Sequence, residues 1–337
     1  MSELRRDPVL GRWVIISTER GKRPTDFLPA EPHKSSGFCA FCPGNENMTP
    51  PEIAAVRERV SLPDTPGWRV RVVSNKYPVL TIEGDLNKRA YGMYDIMNGV
   101  GAHEVFIETP DHEQTISTLS DQNLTDLIWM YRERMIDLEK DERFKYILIF
   151  RNSGQAGGAS LSHPHSQLIA TPTVPKRISE ELAGSLSYLD FKDRCVFCDM
   201  IDEERAFKKR VVEENEDFIS FCPFAARFPF EMWLLPKKHS EKFSELKNHM
   251  IPTFASCFQR SIRRLDNALG HPPYNYIIHT TPCNTNKTHH YHWHMEIIPR
   301  LTQIAGFEWG TGFYINPMSP EMSAETMRNA CNGTDKS

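Results

Sequence analysis

Two histidines two positions apart, His163 and His165, close a segment rich in glycine and serine, Asn152-Ser-Gly-Gln-Ala-Gly-Gly-Ala-Ser160-Leu-Ser-His163-Pro-His165-Ser-Gln167. In extended backbone, residues i and i+2 share a face, so the two imidazoles can enter one site together. An imidazole is largely unprotonated at neutral pH and can attack phosphorus, and the phosphoramidate it forms is reactive enough to be passed on. Glycines such as Gly157 and Gly158 let backbone approach a ligand closely, while exposed amides and the hydroxyls of Ser153, Ser160 and Ser162 can donate to phosphate oxygens. The segment reads as an anion-binding loop with His165 as nucleophile and with Gln167 and Ser160 as fixed donors to the charge that develops on phosphorus. The alternative is a structural turn holding two hydrogen-bonded histidines.

A second kind of chemistry is marked by cysteines. Cys39/Cys42 and Cys195/Cys198 are two Cys-x-x-Cys pairs, a spacing that chelates one ion from a tight turn and leaves two ligands to come from elsewhere. His112 and His163 follow the first pair, 51 positions apart, and His239 and His292 follow the second, 53 apart. Two zinc ions per chain are expected, one on Cys39, Cys42, His112 and His163 and one on Cys195, Cys198, His239 and His292. Reduced buried thiols or a redox pair are the competing readings. Cys222, Cys257, Cys283 and Cys331 have no such partners and read as ordinary thiols, and His33, His103, His249 and His271 as ordinary histidines.

The elements that must position these groups occur twice. Each half runs from Cys-x-x-Cys to an apolar strand ending near a histidine (His103–His112; Phe230–His239). A helix and a strand follow, then His-x-His. Asp121–Lys140 places Leu124, Leu127, Ile128, Tyr131, Met135 and Leu138 at helical spacing, and Ile251–Leu269 does the same with Phe254, Phe258, Ile262, Leu265 and Leu269. Tyr146–Phe150, Gln167–Ala170, Tyr274–Ile278 and Met295–Ile298 are β-rich. The predicted fold is α+β: two halves, each a mostly antiparallel sheet with packed helices. Residues 1–175 and 190–325 form the two domains, with a polar divide near Pro172–Asp193 and a flexible tail over 326–337. No glycine-rich loop precedes His292, which places the chemistry in the first half.

The bulk properties are close to the soluble globular average, and the size is no obstacle to an enzyme. The chain has 337 residues, 25% charged and 39% hydrophobic, with a net charge of −4. It is large enough for two domains, and its net charge argues against nucleic acid as the main partner while leaving room for a local basic pocket. No stretch approaches the roughly 20 apolar residues of a spanning helix, and the first residues lack a signal-peptide core. A cytoplasmic setting without membrane partners is expected, in keeping with thiols available to metal.

These motifs together resemble the histidine-triad superfamily, and within it the galactose-1-phosphate uridylyltransferase family, over nearly the whole chain. His163-Pro-His165-Ser-Gln167 is similar to that family's signature, which implies zinc binding by His163 and nucleophilic attack by His165. Asp7–Ile16 and Arg20-Gly-Lys-Arg-Pro24 are similar too. The resemblance implies that Arg20 and Arg23 face substrate phosphate, that Asn75 lies at the nucleoside and that Asn152 lies beside the phosphates. It further implies a histidine-triad-like fold, zinc, a homodimer and ping-pong chemistry. A nucleoside diphosphate sugar gives its nucleotidyl group to histidine, and a sugar 1-phosphate collects it. Ser166, Lys76 and Glu308-Trp-Gly-Thr-Gly-Phe-Tyr314 depart from the galactose enzymes. Ser166, the second Cys-x-x-Cys and Gly306–Pro317 resemble the ADP-glucose phosphorylase relatives, in which phosphate can accept an adenylyl group. His279 matches a metal-binding histidine of the galactose enzymes, a role that the extra cysteines here could displace.

Overall fold

A computed structural model describes residues 3–16, 37–58, 60–285 and 288–331. The strands are β1 (Glu3–Arg6), β2 (Trp13–Ile16), β3 (Glu52–Arg57), β4 (Trp68–Ser74), β5 (Arg89–Tyr91), β6 (Tyr94–Ile96), β7 (Ala102–Ile107), β8 (Tyr146–Ser153), β9 (His165–Thr171), β10 (Val211–Glu214), β11 (Phe218–Phe221), β12 (Met232–Pro236), β13 (Tyr274–His279), β14 (His294–Pro299) and β15 (Tyr314–Asn316). The helices are α1 (Asp121–Leu138), α2 (Lys176–Lys192), α3 (Val196–Phe207), α4 (Ile251–Leu269), α5 (Gly306–Thr311) and α6 (Pro320–Cys331).

Alternating apolar residues in the strands and apolar stripes on two long helices give the sheet one face to bury and the helices a face to bury against it. Ten strands form one antiparallel sheet in the order β10-β11-β12-β14-β13-β8-β9-β7-β4-β3. Read inward from either edge, the two sets of five strands correspond, and they meet where β8 pairs with β13, Phe150 opposite Ile277 and Asn152 opposite Asn275. The two expected half-sheets are thus joined edge to edge. β1, β2 and β15 make a small separate sheet, with β15 parallel to β2.

α1 and α4 pack against one another across one face of the ten-stranded sheet. The predicted stripes are the buried ones: Leu124, Leu127, Ile128, Tyr131 and Met135 on α1, and Phe254, Phe258, Ile262, Leu265 and Leu269 on α4. Ser120 caps α1 by accepting the Asn123 N–H, and Gly270 ends α4 with φ 67°. Ile147, Ile149, Leu168, Ala170, Tyr276, Ile278, Met295 and Ile297 point to this helix-covered face. Strand alternation therefore turns His103, Asn152, His165, Gln167, Asn275, His279, His294 and Glu296 to the opposite face.

Two expectations about connecting segments change. The polar divide over 172–193 contains α2, a 17-residue helix. Its polar face disguised it, because Ile178, Glu181 and Ser185 are the residues it buries, too few and too polar to make an apolar stripe. The segment 326–337, expected as a tail, begins inside α6, where Ala324 and Met327 join the core. No helix among the described residues is long and apolar enough to cross a membrane.

Candidate active site

β9, an interior strand of the sheet, begins at His165, and His163 and Pro164 lead into that end of it. His165 Nδ1 lies 2.8 Å from the His163 carbonyl. A carbonyl only accepts, so Nδ1 carries the proton and Nε2 keeps its lone pair. Burial, the largest influence, lowers the His165 pKa and favours the neutral ring. The ring keeps 7% exposure and has Phe41 edge-on at 5.5 Å. A ring held in this way can form a bond through Nε2, and the cationic ring that would result would strengthen the hydrogen bond at Nδ1.

The register of β8 and β9 pairs Phe150 with Gln167, which places Asn152 across from His165 on the same face. Beyond Asn152 the loop turns sharply. Gly154 has φ 72°, and a Cβ there would meet the Pro273 side chain at 2.9 Å; a Cβ on Gly157 would meet the Tyr274 carbonyl at 3.0 Å. The glycines are thus required by close packing against the strand of the other half as well as by the turn. Gly158 and Ser160 are exposed on the outer side of this loop. Asn75 sits beside His103, its Nδ2 3.1 Å from His103 Nε2, and His103 Nε2 is 2.8 Å from Gln167 Oε1. His165, Gln167, Asn152 and, through His103, Asn75 are therefore brought to one face of the sheet, with Gly157 in the loop beyond Asn152. Arg20 and Arg23 lie outside the described residues.

Both expected metal sets assemble. Ligand atoms of Cys39, Cys42, His112 and His163 lie within 4.8 Å of one another, as do those of Cys195, Cys198, His239 and His292. In the first set Cys42 Sγ is 3.4 Å from His112 Nδ1 and 3.6 Å from His163 Nδ1, and the two Nδ1 atoms are 3.3 Å apart. His163 Nε2 donates to the Thr109 carbonyl at 2.8 Å, which leaves Nδ1 as a bare lone pair turned inward. The second set repeats this: Cys198 Sγ is 3.4 Å from His239 Nδ1 and 3.7 Å from His292 Nδ1, and His292 Nε2 donates to the Pro236 carbonyl at 2.9 Å. Converging thiols and inward lone pairs suit a thiophilic divalent cation. Burial first of all holds the Cys42 thiol up at about 11 and the His163 imidazolium down at about 4. The first pair lies in a turn closed by Cys42 N–H to Cys39 O, and the second at the start of α3.

Several assignments change with the geometry. Ser162, expected to face phosphate, lies 2.9 Å from His112 Nε2 and so backs a histidine of the first Cys2His2 set. His103, expected to be ordinary, lies with Nε2 2.8 Å from Gln167 Oε1, and β7 is buried at every position, so no alternation in the sequence marks this histidine out. His279 joins His294, Glu181 and Glu296 in a buried cluster whose ligand atoms also lie within 4.8 Å. Glu181 comes from the unforeseen helix α2 and accepts from Tyr291 at 2.9 Å and from Arg177 at 3.2 Å, with His279 Nδ1 at 3.1 Å. Glu296 is held by Arg177 at 2.8 Å and Arg227 at 2.6 Å, so guanidinium groups already neutralise these carboxylates. The separate cysteines are buried where described, at Cys222, Cys257 and Cys283, as expected for core thiols; the side chain of Cys331 is outside the described residues.

Comparison with known proteins identifies the family over both halves of the chain. The family profile "Galactose-1-phosphate uridyl transferase, N-terminal domain" matches residues 1–175, and its C-terminal counterpart matches residues 181–328. An ADP-glucose phosphorylase of Arabidopsis thaliana is 37% identical over 97% of this chain and 92% of its own length. A galactose-1-phosphate uridylyltransferase of Thermotoga maritima is 30% identical over 97% of this chain and 98% of its own. Among solved structures, the Arabidopsis ADP-glucose phosphorylase with bound ADP-glucose superposes with a TM-score of 0.82 at 34% identity, covering 97% of this chain and 98% of that one. The chain belongs to the galactose-1-phosphate uridylyltransferase family, a family of nucleotidyl-transferring enzymes.

Proposed function

We propose that the chain transfers a nucleotidyl group from a nucleoside diphosphate sugar to a sugar 1-phosphate through a covalent bond to His165. The observation that carries this reading is the His165 ring: Nδ1–H is committed to the His163 carbonyl, and Nε2 is left as a lone pair on the face shared with Asn152 and Gln167. Nε2 attacks the α-phosphorus, the bond from phosphorus to the bridging oxygen breaks, and sugar 1-phosphate leaves with that electron pair. The acceptor's phosphate oxygen then attacks the same phosphorus, and the P–N bond returns its electrons to the ring. Gln167, with the loop from Asn152 to Ser160, supplies donors to the non-bridging oxygens. Arg20 and Arg23 are proposed at the phosphates and Asn75 at the nucleoside, on the strength of the family resemblance.

A second reading, with inorganic phosphate as acceptor and an adenylyl group transferred, is favoured by the 37% identity to the Arabidopsis phosphorylase. Zinc is the proposed occupant of both Cys2His2 sets, where it would hold His163 and the turn at Cys39–Cys42 in place. Two domains over 1–175 and 190–325, a homodimer and a cytoplasmic setting complete the proposal, supported by the matched repeat, the resemblance and the reduced cysteines. The test is incubation with ADP-glucose and UDP-glucose, each labelled at the α-phosphorus. Acid-labile label on His165 is expected, released by galactose 1-phosphate, glucose 1-phosphate or phosphate. A chain that takes no label from either donor refutes the proposal, and the acceptor that discharges the label chooses between the two readings.

A further inference from the structure

Carboxamides can point either end at a ligand, and at a phosphoryl group only the NH2 end helps. Asn152 and Gln167 both face His165, and in both cases the oxygen end is taken by another side chain. Asn275 Nδ2 is 2.7 Å from the Gly157 carbonyl and 2.8 Å from Asn152 Oδ1. A backbone carbonyl cannot donate, so the end of Asn275 at this junction must be its NH2, and the end of Asn152 that receives it must be oxygen. Asn152 is left with its NH2 uncommitted to Asn275, and that nitrogen lies against Gly158, 3.7 Å from where a Cβ on this glycine would stand.

The same logic runs through His103. The Val79 backbone N–H points at His103 Nδ1, 3.2 Å away, and a backbone N–H cannot accept. Nδ1 is therefore the acceptor of the neutral ring, and Nε2 carries the hydrogen that goes to Gln167 Oε1 at 2.8 Å. The NH2 of Gln167 is turned away from His103. Asn75 also brings its Nδ2 to 3.1 Å from this Nε2, with its own oxygen taken by the Tyr77 N–H at 2.9 Å, so the Asn75 amide hydrogens find no acceptor on His103. In each chain of contacts a backbone group of fixed polarity sets the orientation of an amide that could otherwise flip.

We propose that Asn275 of the second half and His103 of the first are positioning residues that fix Asn152 and Gln167 as a pair of NH2 donors flanking the phosphoryl group on His165. The inference rests on the nucleotidyl-transfer reading above. It gives the second half a part in the reaction, because Asn275 sits on β13 opposite Asn152 across the seam between the halves. Preorganised donors aimed at developing charge are worth most when they need no reorientation during the reaction.

The test uses the full-length, metal-loaded chain with α-labelled ADP-glucose and UDP-glucose, and measures the single-turnover rate of label transfer to His165 separately from donor affinity. Asn275→Asp removes the NH2 and offers Asn152 an acceptor, which turns its amide round; His103→Phe keeps the ring shape and removes the donor to Gln167. Each is expected to slow transfer on the order of 100-fold, the scale of a lost oxyanion donor, with donor affinity within about 3-fold and metal content unchanged. In an Asn152→Ala background, Asn275→Asp should add little, and in a Gln167→Ala background the same holds for His103→Phe. Transfer rates in both single variants equal to wild type, or additive losses in the double variants, overturn the inference while the wild-type label stands. Should one variant fail to fold, the other amide decides it. A wild-type chain that takes no label on His165 removes the functional reading and this inference with it.

Discussion

His163-Pro-His165 and His292-Trp-His294 have the same local geometry and opposite surroundings. In each the first ring turns Nδ1 to a Cys-x-x-Cys pair and donates Nε2–H to a carbonyl three residues before the other histidine of its set, Thr109 before His112 and Pro236 before His239. In each the second ring donates Nδ1–H to the carbonyl of the first, at 2.8 Å for His165 and 3.1 Å for His294. Yet His294 is wholly buried, and its Nε2 has no hydrogen-bond partner. Trp233 stacks on it at 4.9 Å, with Phe197 and His279 packed around it, and burial first of all holds its pKa down at about 4. Register shows what changed: Trp233 occupies the strand position of Val105, and Glu296 that of Gln167. An indole fills the space above the ring, and a carboxylate replaces the amide that could face phosphate. Geometry at a histidine makes a nucleophile possible; access and the charge beside it decide whether it is one.

The sharpest way to break this comparison is to remove each ring in turn. His165→Ala should abolish transfer, with turnover falling on the order of a million-fold as for other lost covalent nucleophiles, whereas label appearing on His294 in that variant would show that the second ring is reachable. Removing one thiol from each half separates the two metal sets. Cys42→Ser and Cys198→Ser should each lose one bound metal by elemental analysis and on the order of 4 kcal/mol of stability, but only Cys42→Ser should also slow labelling per folded molecule, because its set includes His163, two residues before His165. Equal activity losses in the two variants would mean that the halves share one site.

A milder perturbation addresses the plug itself. Trp233→Val copies the first half and should cost about 3 kcal/mol through the cavity it leaves, read as a lower midpoint in urea, with labelling at His165 unchanged. The smallest effect is expected from His294→Phe. It removes the orphaned Nε2 and forfeits one hydrogen bond to His292, so stability should move by no more than about 1 kcal/mol and transfer by less than twofold. A large loss of activity there would mean that the buried cluster of Glu181, His279, His294 and Glu296 takes part in the reaction.

Much of this arrangement was legible from residue types at fixed spacing. Repeated Cys-x-x-Cys and His-x-His, and apolar stripes on two helices, are local patterns with a single physical meaning, and α4 begins and ends at the expected residues, Ile251 and Leu269. The joining of the half-sheets was not legible, because pairing of Phe150 with Ile277 depends on which strand edges meet and no local pattern records that. Helix α2 escaped because it buries Glu181 and Ser185, polar residues that find partners only in the folded chain, His279 and Tyr291 for the first and His290 for the second. The work of His103 and Asn275 escaped for the same reason. Their types are unremarkable, and their roles come from neighbours 64 and 123 positions away, Gln167 and Asn152.

The pairing of β8 with β13 carries a consequence for how the chain can be divided. Separating the halves in the 172–193 segment would uncover two long strand edges, each with a full row of unsatisfied amides and carbonyls beside an apolar face. A first half made alone keeps His165 and the first Cys2His2 set, but its glycine turn has lost the wall it leans on. Its bare edge seeks another strand, and the nearest match in shape is the same edge of a second copy. The duplication thus acts as a built-in chaperone: each half occupies the edge through which the other would otherwise aggregate.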